Sequence, residues 1–233
     1  FDTVSKYMSA KITLKDRSGS MVIDKKVIKD FIVIDTDLNV SINENTVTDY
    51  INKNLDKKFD TLYSNFSFKS PVSGEITMKS KTYGKVISTA DELPLILEEI
   101  QNGESVNRKP VYKKTQIEVS DKNGGIGNNF IEVDISDQKV YVIRDGKIAF
   151  ETSCVTGKDT SERRTPTGIF DVRLKARNYT MKKYNAHVKY WINVYPEVGV
   201  GLHDASWRSK FGGKIYKTNG SHGCINLPYD AVK

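Results

Sequence analysis

The chain has 233 residues, enough for one large domain or two of ordinary size, and its 38% hydrophobic and 10% aromatic content can bury a core, which excludes global disorder. Lys and Arg number 36 against 29 Asp and Glu, a net charge of +7. That balance suits an anionic setting such as nucleic acid, anionic lipid headgroups or an anionic wall polymer, and does not choose among them. No dense block of Lys and Arg interleaved with aromatics is present, which argues against a nucleic-acid partner. The longest apolar run of note, Phe31-Ile32-Val33-Ile34, falls far short of the roughly 18 residues that a membrane span needs, so no transmembrane segment is expected. The chain opens on Phe1 rather than Met and reads as a trimmed piece of a longer protein, so an anchor or signal outside it is left open. Cys154 and Cys224, 70 positions apart, make neither a disulfide framework nor a CxxC metal knuckle.

In chain order, Val47, Tyr50, Ile51, Leu55, Phe59 and Leu62 recur at spacings of three and four and predict an amphipathic helix, with Asn43 and Asn45 at its N-cap. Short strands are predicted around Phe66-Ser67-Phe68 and Ile76-Thr77-Met78, punctuated by Gly74 and Gly84. A second helix is expected from Asp91 to Gln101, with Pro94 in its first turn and Gly103 as its stop. Residues 106–114, with Pro110 and several cations, read as a linker. Beyond Thr115 strands dominate. Phe130 to Ile135 alternates, and Val140-Tyr141-Val142-Ile143 and Ile148-Ala149-Phe150 flank Asp145-Gly146, a two-residue hairpin turn. Gly199 and Gly201 bracket a short extended run into His203. The expected organisation is a mixed α/β N-terminal domain over 1–114 and a mostly β C-terminal domain over 115–233.

The chemistry concentrates in Ser221-His222-Gly223-Cys224-Ile225-Asn226. A free thiol is only a few per cent thiolate at neutral pH, so a nucleophilic cysteine needs a base that takes its proton and returns it to a leaving amine. Gly223 permits unusual backbone angles and close approach of a carbonyl, and the Gly223 and Cys224 amides could face a developing oxyanion. If residues 222–224 are extended, His222 and Cys224 share a face. Three readings of the residues stand side by side: a nucleophile and its base, a buried thiol beside a hydrogen-bonded imidazole, and a zinc site of His203, His222 and Cys224 with no fourth ligand at familiar spacing. Cys154 reads as a buried, inert thiol. His187 and the run Tyr184 to Tyr190 fit a lid or a surface loop. Arg163 and Arg164 fit solvated charge or contacts to substrate carboxylates.

His203, seventeen residues, and then Ser221-His222-Gly223-Cys224-Ile225-Asn226 resembles the signature of the L,D-transpeptidase (YkuD-type) catalytic domain. Val155-Thr156-Gly157, Thr165-Pro166-Thr167-Gly168-Ile169-Phe170 and the hairpin from Ile131 to Gly146 extend the likeness over residues 116–233. Phe66-Ser67-Phe68-Lys69-Ser70 and Thr82-Tyr83-Gly84 resemble the peptidoglycan-binding domain that precedes it in Gram-positive members, with Lys85 in place of the usual aromatic. The resemblance implies a β-sandwich-like catalytic fold and a transferase that forms 3→3 cross-links through a thioester. In it Cys224 is the nucleophile, His203 the base and acid, and the Gly223 and Cys224 amides the oxyanion hole. His203 would be oriented by Ser221 or by the backbone carbonyl of Asp204, with Ser221 the first choice. His222, Asn226, Trp207 and Asp204 would line the substrate site. Stem peptides as donor and acceptor, carbapenems as covalent inhibitors, an extracytoplasmic location and no cofactor or metal follow from the same likeness. Hydrolysis of the thioester, as an L,D-carboxypeptidase, and non-catalytic wall binding are the alternatives. The chain ends nine residues past Cys224, where the family continues through a helix and a closing strand, so a truncated C-terminus is expected.

Overall fold

A computed structural model describes residues 2–113, 119–182 and 186–233. The chain forms two units and passes between them more than once. One unit holds residues 2–62 and 84–113, the other residues 63–83 and the described residues from 119 onward. The domain boundary expected at 114 and 115 lies outside the described residues, and the hairpin within 63–83, read with the first half, groups with the second unit. As expected, the first unit mixes helices with strands and the second is rich in strands.

The first unit opens with α1 (Asp2–Ser9), β1 (Lys11–Asp16), β2 (Gly19–Ile23), α2 (Lys25–Ile28), β3 (Ile32–Ile34) and β4 (Val40–Ile42). Next comes α3 (Glu44–Tyr50), which runs through a π turn at Ile51–Leu55 into α4 (Asp56–Phe59). This is the amphipathic helix that the spacing predicts. The Asn43 side chain caps it by accepting from the Thr46 amide at 3.2 Å. Val47, Ile51, Leu55 and Phe59 are fully buried and lie four residues apart. That repeat is longer than the ~3.6 residues of an α turn, so the stripe would drift around a regular helix. The wider π turn keeps it on the core.

The hairpin of β5 (Asn65–Ser70) and β6 (Gly74–Lys79) follows, in the second unit, and then α5 (Thr89–Asn102) and β7 (Ser105–Arg108) complete the first. Gly103, at φ 71°, stops α5. The helix begins two residues before its expected start, so Pro94 is its sixth residue rather than part of its first turn. The expected linker at 106–114 begins as β-strand instead. β7 lies parallel to β1, with Val106 opposite Ile12, in a sheet ordered β2-β1-β7. One apolar residue in Ser-Val-Asn-Arg is too little pattern for a strand to be read from sequence.

The second unit continues with β8 (Phe130–Asp134), β9 (Lys139–Arg144) and β10 (Lys147–Ser153), an antiparallel meander. The turn between β9 and β10 has φ 49° at Asp145 and 73° at Gly146, the doubly left-handed turn that an Asp-Gly pair favours. A second sheet runs β11 (Leu174–Met181), β12 (Ala186–Tyr195), β13 (Val200–Asp204) and, beyond α6 (Ile215–Asn219), β14 (Ile225–Leu227); α7 (Tyr229–Val232) follows. Ile192, Val200, Leu202, Ile225 and Leu227 pack with Val140 and Cys154 on one face of this sheet. His187 to Tyr190, read as lid or loop, belongs to β12; Tyr184 lies outside the described residues. The β5–β6 hairpin is tied in by the Lys81 amide on the Ile169 carbonyl at 2.9 Å, by Thr82 Oγ1 on the Val194 carbonyl at 3.2 Å, and by the Ser70 and Ser73 hydroxyls on Glu132. Among the described residues no helix is long and apolar enough to cross a membrane.

Candidate active site

Strand pairing assembles the site. β13 is antiparallel to β12 and parallel to β14, so Trp191, His203 and Asn226 stand opposite one another across three strands. Paired residues share a face, and so do residues two apart on a strand. Gly201 therefore lies on the His203 face, and Cys224, one residue before β14, packs with Trp191, which stands opposite His203. The intervening residues Ile192, Leu202 and Ile225 point to the opposite, apolar face. One face of the sheet is core and the other carries the imidazole.

The Cys224 thiol donates to the Gly199 carbonyl at 3.6 Å and receives the Gly201 amide. Two glycines permit this approach. A Cβ on Gly201 would sit 2.4 Å from the Ile192 carbonyl oxygen and 2.9 Å from the Trp191 ring, and Gly223 holds φ +121°, where a side chain is strained. Burial pushes the Cys224 thiol above its ordinary value, and the Gly201 amide opposes that shift. His203 is 2% exposed, and burial holds its imidazole below the ordinary value. The backbone hydrogen bond and charge of Asp204 push the other way, and Arg208 reinforces the depression. Both shifts favour the neutral form, thiol and imidazole. His203 Nδ1 lies 2.7 Å from the Asp204 carbonyl oxygen. A carbonyl only accepts, so Nδ1 carries the proton and Nε2 is the basic nitrogen.

This geometry corrects the orienting role given to Ser221. Its hydroxyl donates to the Cys224 carbonyl at 2.6 Å and accepts from the Gly223 amide at 3.0 Å, closing the Ser221–Cys224 turn on itself. The Gly223 amide, expected in the oxyanion hole, is thereby engaged. The Asp204 carboxylate accepts from the Tyr190 amide at 2.8 Å, and its backbone carbonyl meets His203. His222 is exposed and sits in a bend rather than an extended segment, so the alternation that put it on the thiol's face does not hold. Asn226 is buried, and its Oδ1 has no hydrogen-bond partner among the described residues. Trp207 is 55% exposed, its ring centroid 5.9 Å from that of His203. Cys154 is buried, its thiol pushed up to about 12. Arg164 pairs with Asp159 at 3.0 Å on the surface. Among the described residues no group of three or more His, Cys, Asp and Glu could hold a metal ion.

Sequence reasoning missed three participants. Buried Thr165 accepts from the Gly157 amide at 2.8 Å and donates to the Gly223 carbonyl at 2.8 Å, so it grips the residue before the cysteine. Buried Gln138 supports the same segment through Thr156, accepting from its amide at 2.9 Å and donating to its hydroxyl at 2.8 Å. Trp191 stands across from His203, and its signal was available: Ala186 to Tyr195 is a run of β-branched and aromatic residues, a strand by composition.

Compared with known proteins, residues 128–233 match the L,D-transpeptidase catalytic domain family and residues 2–108 the family described as "Putative peptidoglycan binding domain". No curated protein gives a significant match. Among solved structures, the Ldtfm-avibactam carbamoyl enzyme is 30% identical, with 99% of this chain and 90% of that chain covered, at a TM-score of 0.73. A cysteine-to-serine mutant of the Enterococcus faecium L,D-transpeptidase is also 30% identical, with 99% and 92% covered and a TM-score of 0.72. With both halves matched and near full-length likeness to these enzymes, the chain belongs to the L,D-transpeptidase family.

Proposed function

We propose that the protein is a peptidoglycan L,D-transpeptidase in which Cys224 is the nucleophile and His203 its general base and acid. The observation that carries this reading is the β13–β14 pairing, which brings the segment that follows Cys224 alongside an imidazole whose basic nitrogen is Nε2. Because burial raises the thiol and lowers the imidazole, proton transfer accompanies attack instead of preceding it. Nε2 takes the thiol proton as Sγ attacks the carbonyl of the third residue of a tetrapeptide stem. His203 then gives that proton to the amine of the departing D-Ala, and a thioester remains. The side-chain amine of a second stem attacks the thioester, its proton passes to Nε2, and collapse returns the proton to Sγ and leaves a 3→3 cross-link. The Cys224 amide is our candidate oxyanion donor. The Gly223 amide joins it only when Ser221 releases it. Asn226, whose buried Oδ1 has no partner among the described residues, and Trp207, exposed beside the imidazole, are the stem contacts we favour. The first unit would grip peptidoglycan, and the work would then lie outside the cytoplasmic membrane.

Intact mass after incubation with a carbapenem tests the nucleophile. Wild type and Cys154→Ala should gain one adduct, and Cys224→Ala none. A disaccharide-tetrapeptide with and without an acceptor amine then separates a cross-linked dimer from a hydrolysed tripeptide, the L,D-carboxypeptidase outcome. A folded wild type that takes no adduct refutes the catalytic assignment and leaves wall binding.

A further inference from the structure

The chain contains two tryptophans, and both stand against the imidazole of His203. Trp191 reaches it from β12, with ring centroids 5.8 Å apart and planes tilted by 33°. Trp207, three residues beyond β13, lies at 5.9 Å and 38°. Trp191 is 3% exposed and is held by Tyr179, stacked on it at 5.5 Å with 4° between the planes.

A buried base has an electrostatic difficulty. When it accepts the thiol proton it becomes a cation in a site with little water, and the group behind its Nδ1 is a backbone carbonyl, a dipole with no formal charge. The charged and titratable groups around it do not resolve this. On its own strand the Asp204 carboxylate favours the cation but is committed to the Tyr190 amide. Arg208, in the following loop, opposes the cation. β14 offers the uncharged Asn226, and the turn before it offers Cys224 and the exposed His222. On β12, Lys189 is exposed, and Tyr190 alternates away from Trp191. An indole face carries partial negative charge and attracts a cation within about 6 Å of its centroid. Both tryptophans meet that distance.

We propose that Trp191 and Trp207 are positioning residues that act through His203, their π faces stabilising the imidazolium formed when the base takes the Cys224 proton. This rests on the reading of His203 as the base. It gives Trp191 a role beyond packing and gives Trp207 a second one beside its contact with substrate.

Biosynthetic incorporation of mono-, di- and tetrafluorotryptophan alters these two side chains and no others, nearly keeps their shape, and weakens their faces in steps. The imidazole Cε1–H resonance, assigned among His187, His203 and His222 with His→Gln variants, reports the His203 titration. The pH profile of carbapenem acylation reports the chemistry. The His203 pKa should fall in steps across the series by about half to one unit in total. Acylation at neutral pH should slow by roughly three- to tenfold in parallel. Trp191→Phe and Trp207→Phe divide the effect between the two rings. A His203 titration unmoved by fluorination, with acylation intact, overturns the proposal and leaves the base assignment standing. A titration that falls while the neutral-pH rate holds also overturns it, because the imidazolium would then lie off the reaction path. Absence of acylation in the unfluorinated protein instead removes the base assignment itself, whatever the titration does.

Discussion

The interiors of the two units are built on different principles. The first is an aliphatic core in which Ile12, Leu14, Ile23, Ile28, Ile51, Leu55, Ile96 and Ile100 are fully buried around Phe31 and Phe59. Its best-buried charges form ion pairs: Arg108 meets Glu99 through two bonds at 2.6 and 3.0 Å and Glu92 at 2.7 Å, and Lys85 meets Asp16 at 2.7 Å. In the second unit buried polar groups run along the segments that carry the thiol, at Gln138, Thr156, Thr165, His203, Asp204 and Asn226, and also hold the hairpin side, at Ser70, Ser80, Thr82 and Asp171. Apolar packing tolerates substitution that keeps volume and pattern, whereas a hydrogen-bonded network loses its geometry when one member leaves. Changes in the first unit should therefore register as stability, and changes in the second as reactivity.

The largest expected effect on stability comes from Arg108→Met, which leaves Glu92 and Glu99 buried without a counter-charge. It should lower unfolding stability by about 3–5 kcal/mol in denaturant melts. The rate at which a carbapenem acylates Cys224 should be unchanged in buffer where the variant is still folded. A rate that falls with stability would dissolve the contrast between the units.

Thr165→Val is the counterpart in the second unit. It strands the Gly157 amide and the Gly223 carbonyl, a cost of about 1–3 kcal/mol. Because the freed residue adjoins the cysteine, acylation should slow by at least about tenfold, displacement of reacting groups by an ångström being worth up to about a hundredfold. Thr165→Ser restores the hydroxyl and should restore the rate. If Val matches wild type in acylation, the grip on Gly223 is packing alone. Ile96→Val, in the aliphatic core, should cost only about 0.5–1.5 kcal/mol and leave acylation untouched.

The same contrast governs what the sequence made legible. The helix from Glu44 to Phe59 announced itself through apolar spacing and an Asn cap, and the β9–β10 hairpin through Asp-Gly, because both signals are local. The segment around Cys224 and the histidine upstream of it were legible as a motif, with seventeen residues between them and Ser221. β7 was not, since its stability comes from pairing with β1 and Ser-Val-Asn-Arg carries almost no pattern of its own. Nor was the grouping of the β5–β6 hairpin with the second unit, which depends on bonds from the Lys81 amide and the Thr82 hydroxyl to the Ile169 and Val194 carbonyls, some ninety to one hundred and ten positions away. For His203, the Asp204 carbonyl and Ser221 were both candidate partners, and the wrong one was put first for a related reason. A backbone carbonyl leaves no trace in a sequence, while Ser221 offered a visible hydroxyl that the fold spends on Cys224 and Gly223. Sequence shows which side chains are available, but register decides which atoms they meet.

The smallest expected effect tests whether buried charge in the first unit serves only the fold. Asp60 accepts the Ile87 amide at 2.7 Å, and burial pushes its carboxyl from 3.8 up to about 6. The Ile87 amide and Lys113 pull the value down, and Asp56 pushes it up. A raised acid holds its proton longer when folded than when unfolded, so the protonated form favours the native state. That contribution is fully present below the unfolded value of 3.8 and is lost as pH rises through about 6. Asp60→Asn keeps an acceptor for the Ile87 amide and cannot ionise. It should therefore raise the melting temperature modestly at pH 7.5, less at pH 5, and hardly at all near pH 4, with solvent screening of this half-buried group limiting the gain. Melting temperatures of the two proteins at the three pH values decide it. A gain that does not depend on pH would assign the change to packing, and an acylation rate that moves with it would tie Asp60 to the chemistry of the second unit.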